Sequence, residues 1–190
     1  MKEKIKTMIA ESIEAKELVI KSLLPQIENA AHLIINALKS HKKILIAGNG
    51  GSASMSSHIA AEFVGRYKIE RKGLPCMALS ADTSILTAWS NDYSYDAVFE
   101  RQIEAFAKSG DVFIALSTSG NSENLIKAAE LAKKLDVHVI GLLGKDGGKL
   151  KNTSDVKIIV PSSNTTRIQE SHLMILHIIC EIVDDELFGK

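Results

Sequence analysis

The ten residues Lys43-Ile-Leu-Ile-Ala-Gly-Asn-Gly-Gly-Ser52 decide the fold. Ile44 to Ala47 show no polar alternation, the pattern of a strand buried on both faces, and the glycines that follow end it in a tight turn. Working outward, short apolar runs of the same kind recur at 76–79, 112–116, 137–143 and 156–160. Between them apolar residues fall at helical spacing over 54–63, 84–88, 95–108 and 122–135, and the chain closes on a helical pattern from about 166 to 187. Strand and helix therefore alternate five times. This predicts a doubly wound α/β domain, a single five-stranded parallel sheet with helices on both faces, in the flavodoxin-like order 2-1-3-4-5. In that order the first and third strands are neighbours whose following helices go to opposite faces, leaving a crevice beyond their carboxyl ends. Residues 48–52 and 117–122 are the loops at that crevice.

Upstream, Ile5, Met8, Ile9, Ile13, Leu18, Ile20, Leu23 and Leu24 keep helical spacing, Pro25 interrupts it, and Ile27, Ala31, Ile34, Ile35 and Leu38 resume it. Residues 1–40 are thus an added helical hairpin or one kinked helix on a single domain of 1–190. At 190 residues such a chain buries roughly 70% of its unfolded surface and needs no disulfide or metal to stay folded. Lys and Arg total 23 against 23 Asp and Glu, which removes the positive field that non-specific nucleic-acid or anionic-membrane binding requires. Aromatic residues at 5% argue against stacking platforms for single strands. Cys76 and Cys180 each lie in an apolar run without a neighbouring cysteine at ligand spacing, and read as reduced core residues. The first twenty residues contain no apolar secretory core, and the most apolar stretch, 173–183, is interrupted by His177 and Glu181. A cytoplasmic protein with neither nucleic acid nor membrane as partner is expected.

The run Ser117-Thr-Ser-Gly-Asn-Ser122 lies between a strand pattern and a helix pattern. Its hydroxyls, with the exposed N–H groups of a helix N-terminus and the helix dipole, suit a phosphate. A Ser122 N-cap would account for one hydroxyl, but six consecutive small or polar residues exceed what a cap needs. Residues Gly48 to Ala53 also fit the G-x-G-x-x-A dinucleotide pattern. The ribose-binding acid should then follow about 20 residues on, whereas Asp82 stands 34 residues after Gly48. One small phosphorylated ligand bridging both loops is the simpler reading.

His58 and Glu62 stand four residues apart on the helix after the glycine turn and project from one face. On an arbitrary helix this is a solvated ion pair. Starting at a crevice, and flanked by Ile59, Ala60, Ala61 and Phe63, the pair suits metal ligation or acid–base work. Arg66, one turn further, would neutralise a substrate anion. The closing helix carries Arg167, Gln169, His172 and His177 among so many apolar residues that it is expected to be buried. Alone, His177 reads as a core histidine.

Taken together, GNGGSASMSSHIAAEF (48–63), SNDYSYDAVFERQIEA (90–105), GDVFIALSTSGNSENLIKA (110–128), GLLGKDGG (141–148) and RIQESHLMILHIIC (167–180) resemble the phosphoheptose isomerase family of the sugar isomerase (SIS) superfamily. The likeness runs over nearly the whole chain. It implies a SIS domain that interconverts sedoheptulose 7-phosphate and D-glycero-D-manno-heptose 7-phosphate, supplying the heptose of lipopolysaccharide core or capsule. It also implies one zinc ion per subunit on His58, Glu62, Gln169 and His177, with Glu62 as catalytic base and His177 as acid. Substrate contacts are implied for Asn49, Gly50, Gly51, Asn91, Asp92, Ser117, Thr118, Ser119, Ser122, Glu62 and Gln169, beside Ser52 of the glycine turn and Arg66. Thr166 departs from the Asp expected before the Arg-Ile-Gln run, and Ala53 and Ser54 replace bulkier or more reactive side chains.

The chemistry is intelligible on its own terms. An open-chain ketose phosphate must lose a proton from C1, pass through an enediolate and regain a proton at C2, for which a carboxylate and an imidazole are suited. Gln169 and His177 are eight residues apart, about 12 Å along a helix and about 80° around it. One ion can take both only if Gln169 sits at a frayed helix start or the two come from different subunits. The second reading, a site shared across a homotetramer with the apolar N-terminal helices packed together, is the expectation. A non-catalytic SIS adaptor or sugar-phosphate sensor is the alternative, and it should lose the acid–base pair.

Overall fold

The structure, a computed structural model, describes residues 1–189. Two helices lead, α1 (Lys2–Ser22) and α2 (Leu24–Lys39). They part at Leu23 and not at the proline, because Pro25 occupies the first turn of α2, where a missing N–H has no helical acceptor to forgo. Then follow β1 (Ile44–Gly48), α3 (Gly51–Val64), β2 (Cys76–Ala78), α4 (Thr83–Asp92), α5 (Val98–Phe106), β3 (Val112–Ser117), α6 (Glu123–Lys134), β4 (His138–Gly144), β5 (Val156–Val160) and α7 (Thr165–Phe188). Short 3-10 turns precede α5 at Tyr95–Ala97 and β5 at Leu150–Asn152.

All strand pairs are parallel and the order is β2-β1-β3-β4-β5, as the alternation of patterns predicts. Successive side chains along each strand serve opposite faces. Ile44, Ile46, Ile114, Leu116 and Leu142 join α2, α3 and α7 in one core; Leu45, Ala47, Phe113, Ala115 and Val139 join α5 and α6 in the other. Each fully buried aliphatic or phenyl side chain contributes roughly 1.5–3 kcal/mol. Both cysteines are free, with Cys180 buried and Cys76 packed against the first core. Burial pushes the Cys180 thiol up to about 12, so it stays protonated and inert.

Two elements depart from the pattern in the sequence. The helix after the glycine turn starts three residues early, at Gly51, because Gly50 adopts φ 55 and turns the chain directly into it. The helical pattern of 95–108 resolves into a 3-10 turn and α5, with Ser94 accepting the Asp96 N–H at the turn's start. By contrast, α1 buries only Ala15 and Val19 and leaves Ile5, Met8, Ile9, Ile13 and Ile20 about half exposed.

Candidate functional site

Gly48 and Leu116 are register partners at the carboxyl ends of β1 and β3. From there α3 departs toward one core and α6 toward the other, so the N-termini of both helices open on one crevice, the switch point of the sheet. The two loops are tied together by a reciprocal amide pair: Asn49 Nδ2 donates to Asn124 Oδ1 and Asn124 Nδ2 to Asn49 Oδ1, each at 3.0 Å. The Tyr95 hydroxyl adds a 2.8 Å bond to Asn49 Oδ1, which brings the segment after α4 to the rim. Asn91 and Asp92, in the last turn of α4, are exposed and bonded to each other at 2.8 Å.

In the hydroxyl-rich turn, Ser117 Oγ accepts the Gly120 N–H at 3.0 Å and lies 3.3 Å from Ser122 Oγ. Ser122 occupies the N-cap position of α6, yet its side chain makes no capping bond. The explanation by capping alone is thereby set aside, and the first-turn amides of α6 keep their capacity for an anion. Gly120 is required here: its φ is 67, and a Cβ would lie 2.0 Å from the Gly147 carbonyl oxygen. The GLLGKDGG stretch thus backs the turn, with the Leu150 N–H donating to Gly120 O and the Lys149 N–H to Asn121 Oδ1. Thr118 and Ser119 are half-buried along the turn, and Ser119 Oγ accepts the Asn121 N–H. Ser52 is buried beneath Gly48, where a second Cβ would meet its own at 2.6 Å. Asp82 caps α4 by accepting the Ile85 N–H, so the acid that a dinucleotide would need is committed elsewhere.

His58 and Glu62 share a face of α3, Nε2 to Oε1 3.4 Å, as their spacing predicts. Their third member arrives from α7, for His177 Nε2 lies 2.9 Å from His58 Nε2. The three donor atoms fall within 4.8 Å of one another in one chain, with His58 exposed and the others half-buried. Donors about 2.0–2.1 Å from a tetrahedral ion stand about 3.3 Å apart, so this group fits a divalent cation. His177 is therefore no mere core residue.

Gln169 lies elsewhere on α7. Its amide is 2.9 Å from where a Cβ of Gly51 would stand, so it belongs to the glycine turn. A regular α7 begins at Thr165, and this removes the frayed start as a way for Gln169 and His177 of one chain to share one ion. Arg66 departs from the helical position expected one turn after Glu62. Gly65 ends α3 at Val64, so Arg66 is off the helix, and its Nε pairs with exposed Glu70 at 3.3 Å.

Residues without a motif complete the site. Tyr67 stacks on the His177 ring, centroids 5.7 Å apart. His172 donates from Nε2 to Leu143 O at 2.9 Å, the carbonyl fixing the tautomer, and so seats α7 on the end of β4. Burial lowers its pKa to about 4. No periodicity or spacing singled out Tyr67, Tyr95 or Asn124.

The parallel sheet, the switch-point crevice and the lysine-free anion turn define a domain of the SIS class, and residues 7–144 match the family model described as SIS domain. The chain is similar to a phosphoheptose isomerase of Clostridium acetobutylicum, 53% identical over 100% of this chain and 98% of that one. Solved structures of phosphoheptose isomerases from Neisseria gonorrhoeae (43% identity, TM-score 0.92, covering 97% of this chain and 98% of that one) and Francisella tularensis (35%, 0.93, covering 96% and 97%) share the fold. The chain belongs to the phosphoheptose isomerase family.

Proposed function

We propose that the chain interconverts sedoheptulose 7-phosphate and D-glycero-D-manno-heptose 7-phosphate, as an aldose–ketose isomerase. The observation that carries this reading is the meeting of His177 with His58 and Glu62, three groups from distant parts of the chain, near the helix whose head faces the anion turn. Seven residues of α3, from Gly51 to His58, measure about 10 Å. An extended seven-carbon ester with bonds of about 1.5 Å is also roughly 10 Å from C1 to phosphorus. A heptose 7-phosphate is accordingly read with its ester on Ser117, Thr118, Ser119 and Ser122 and its C1 toward the His58–Glu62–His177 group. Asn49, Gly50, Gly51 and Ser52 then border the sugar on one side, and Asn91, Asp92 and Gln169 contribute from neighbouring elements.

Glu62 takes the C1 proton of the open-chain ketose, the C–H electrons become the double bond of the enediolate, and the proton returns to C2. His177 passes a proton between the C1 and C2 oxygens. Each such transfer is worth typically 10²–10⁴ in rate. His58, Glu62 and His177, with Gln169, would hold zinc, and when bound it supplies polarisation of the carbonyl. With zinc held there, Glu62 would act as base either through a carboxylate oxygen not given to the metal or by leaving the metal during turnover.

Because Gln169 and His177 stand two turns apart on a regular helix, a four-donor set draws them from different copies. The exposed apolar face of α1 is the surface a homotetramer would cover, with Arg66 available to a neighbouring site. No helix among the described residues is long and apolar enough to cross a membrane, which accords with a cytoplasmic enzyme supplying lipopolysaccharide or capsule heptose. The test is incubation of purified protein with sedoheptulose 7-phosphate, with and without chelator, followed by product analysis. Conversion is expected, and its absence under every metal condition would favour the adaptor reading.

A further inference from the structure

Beyond the groups that touch substrate lies a charged pair with no chemical task. Arg71 Nε donates to Asp184 Oδ1 at 2.6 Å, and both side chains are only 1% exposed. Burying two ions costs several kcal/mol each, and apolar residues of similar volume hold a fold together as well or better. Such a pair calls for a reason in geometry.

Its partners supply one. α3 ends at Val64, so the Glu62 carbonyl lacks the N–H that a further turn would offer, and the Phe63 carbonyl takes the Leu74 N–H instead, at 2.9 Å. Arg71 Nη2 donates to Glu62 O at 3.0 Å and Nη1 to Phe63 O at 2.9 Å. Across the pair, Asp184 stands seven residues after His177 on α7, and its Oδ2 accepts the Lys68 N–H at 3.2 Å and the Ile69 N–H at 3.4 Å. Those two amides immediately follow Tyr67, whose ring lies against His177. One buried ion pair therefore grips the backbone of Glu62 on one side and the loop that packs His177 on the other.

We propose that Arg71 and Asp184 are positioning residues that set the separation of Glu62 and His177, and thereby both proton transfer and the metal affinity of the His58–Glu62–His177 group. This rests on the site reading given above. Without the clamp, the end of α3 and α7 remain packed through apolar contacts, but their mutual register is loose by the fraction of an ångström that catalysis and ligation register.

The decisive variant replaces both charges together, Arg71→Met with Asp184→Leu, which strands neither ion. Cobalt(II) titration of the purified full-length protein, followed by its visible absorption, measures the group directly, alongside Tm, kcat and KM for sedoheptulose 7-phosphate. Expected are a Tm close to the parent's, a roughly tenfold or greater loss of cobalt affinity, a similar fall in kcat, and KM within about twofold. A folded double variant with parental cobalt affinity and kcat overturns the proposal, since a structural pair alone would behave so. Should the double variant not fold, Tyr67→Leu, in the loop that Asp184 holds against His177, should show the same signature at smaller size, and parental values there overturn it equally. Parent protein that takes up no cobalt would refute the metal reading and this inference with it, whereas uptake by the parent with unchanged variants refutes the clamp alone.

Discussion

The hydroxyl-rich turn at 117–122 and the His58–Glu62–His177 group are held by different means. Residues 117–122 are consecutive, and their shape comes from one glycine with φ 67, one Ser117 bond to the Gly120 amide and the start of α6. His58, Glu62 and His177 span 119 residues of sequence and meet only because α3 and α7 pack on the same face of the sheet. On the proposed function, the comparison teaches that ester binding would be a local property of a turn, whereas proton transfer would be a property of helix packing. Damage to the turn should appear in KM, and damage to the helix pair in kcat and stability.

The largest expected effect is on the helix pair. Glu62→Gln should lower kcat by roughly 10²–10⁴ and abolish exchange of the substrate C1 proton with solvent, read by NMR in deuterated water. Retained exchange would remove Glu62 as the base and break the division of labour. Next comes the seat of α7. His172 is neutral and buried in the native state with a pKa of about 4 against an ordinary 6.5, so stability is fully present above pH 6.5 and falls as pH drops toward 4. At about 1.4 kcal/mol per pH unit the loss is roughly 3 kcal/mol. Urea unfolding at pH 7 and pH 4 should show this slope in the parent and not in His172→Gln; parallel behaviour would detach the seat of α7 from this imidazole.

Effects at the turn should be smaller and of another kind. Ser117→Ala loses the acceptor for the Gly120 amide, and KM should rise roughly 10–100-fold with kcat little changed, as expected for one hydrogen bond serving a charged ester. An equal fall in kcat would blur the comparison. Smallest is the stability effect of Ser122→Ala. A working N-cap contributes about 1 kcal/mol, but this hydroxyl caps nothing, so chemical denaturation should register a change within about 0.5 kcal/mol.

Much of this was legible without coordinates. All five strands fall within a residue or two of their apolar runs; the central β1, β3 and β4 are buried on both faces and so continuously apolar, while the edge strands β2 and β5 keep only part of that pattern. Both crevice loops announce themselves through residue types that turns and anions demand. The place of Arg66 beyond the helix was not legible, because Gly65 in the sequence does not declare whether it ends a helix or lies within one. The stretch RYKIERK at 66–72 reads as a solvated charged loop, and nothing in it separates exposed Arg66 from buried Arg71. That distinction depends on Asp184, more than a hundred residues away.

By itself, then, the amino-acid order determined the sheet, its switch point and the anion turn, since periodicity, glycine and hydroxyl clusters act over a few residues. Only the tertiary structure decided that His177 faces His58, that Gln169 serves the glycine turn, and that Arg71 and Asp184 bind the end of α3 to α7. The reason is physical: which side chains meet across two helices depends on their axial register, and that register is set by the packing of the whole core on the sheet.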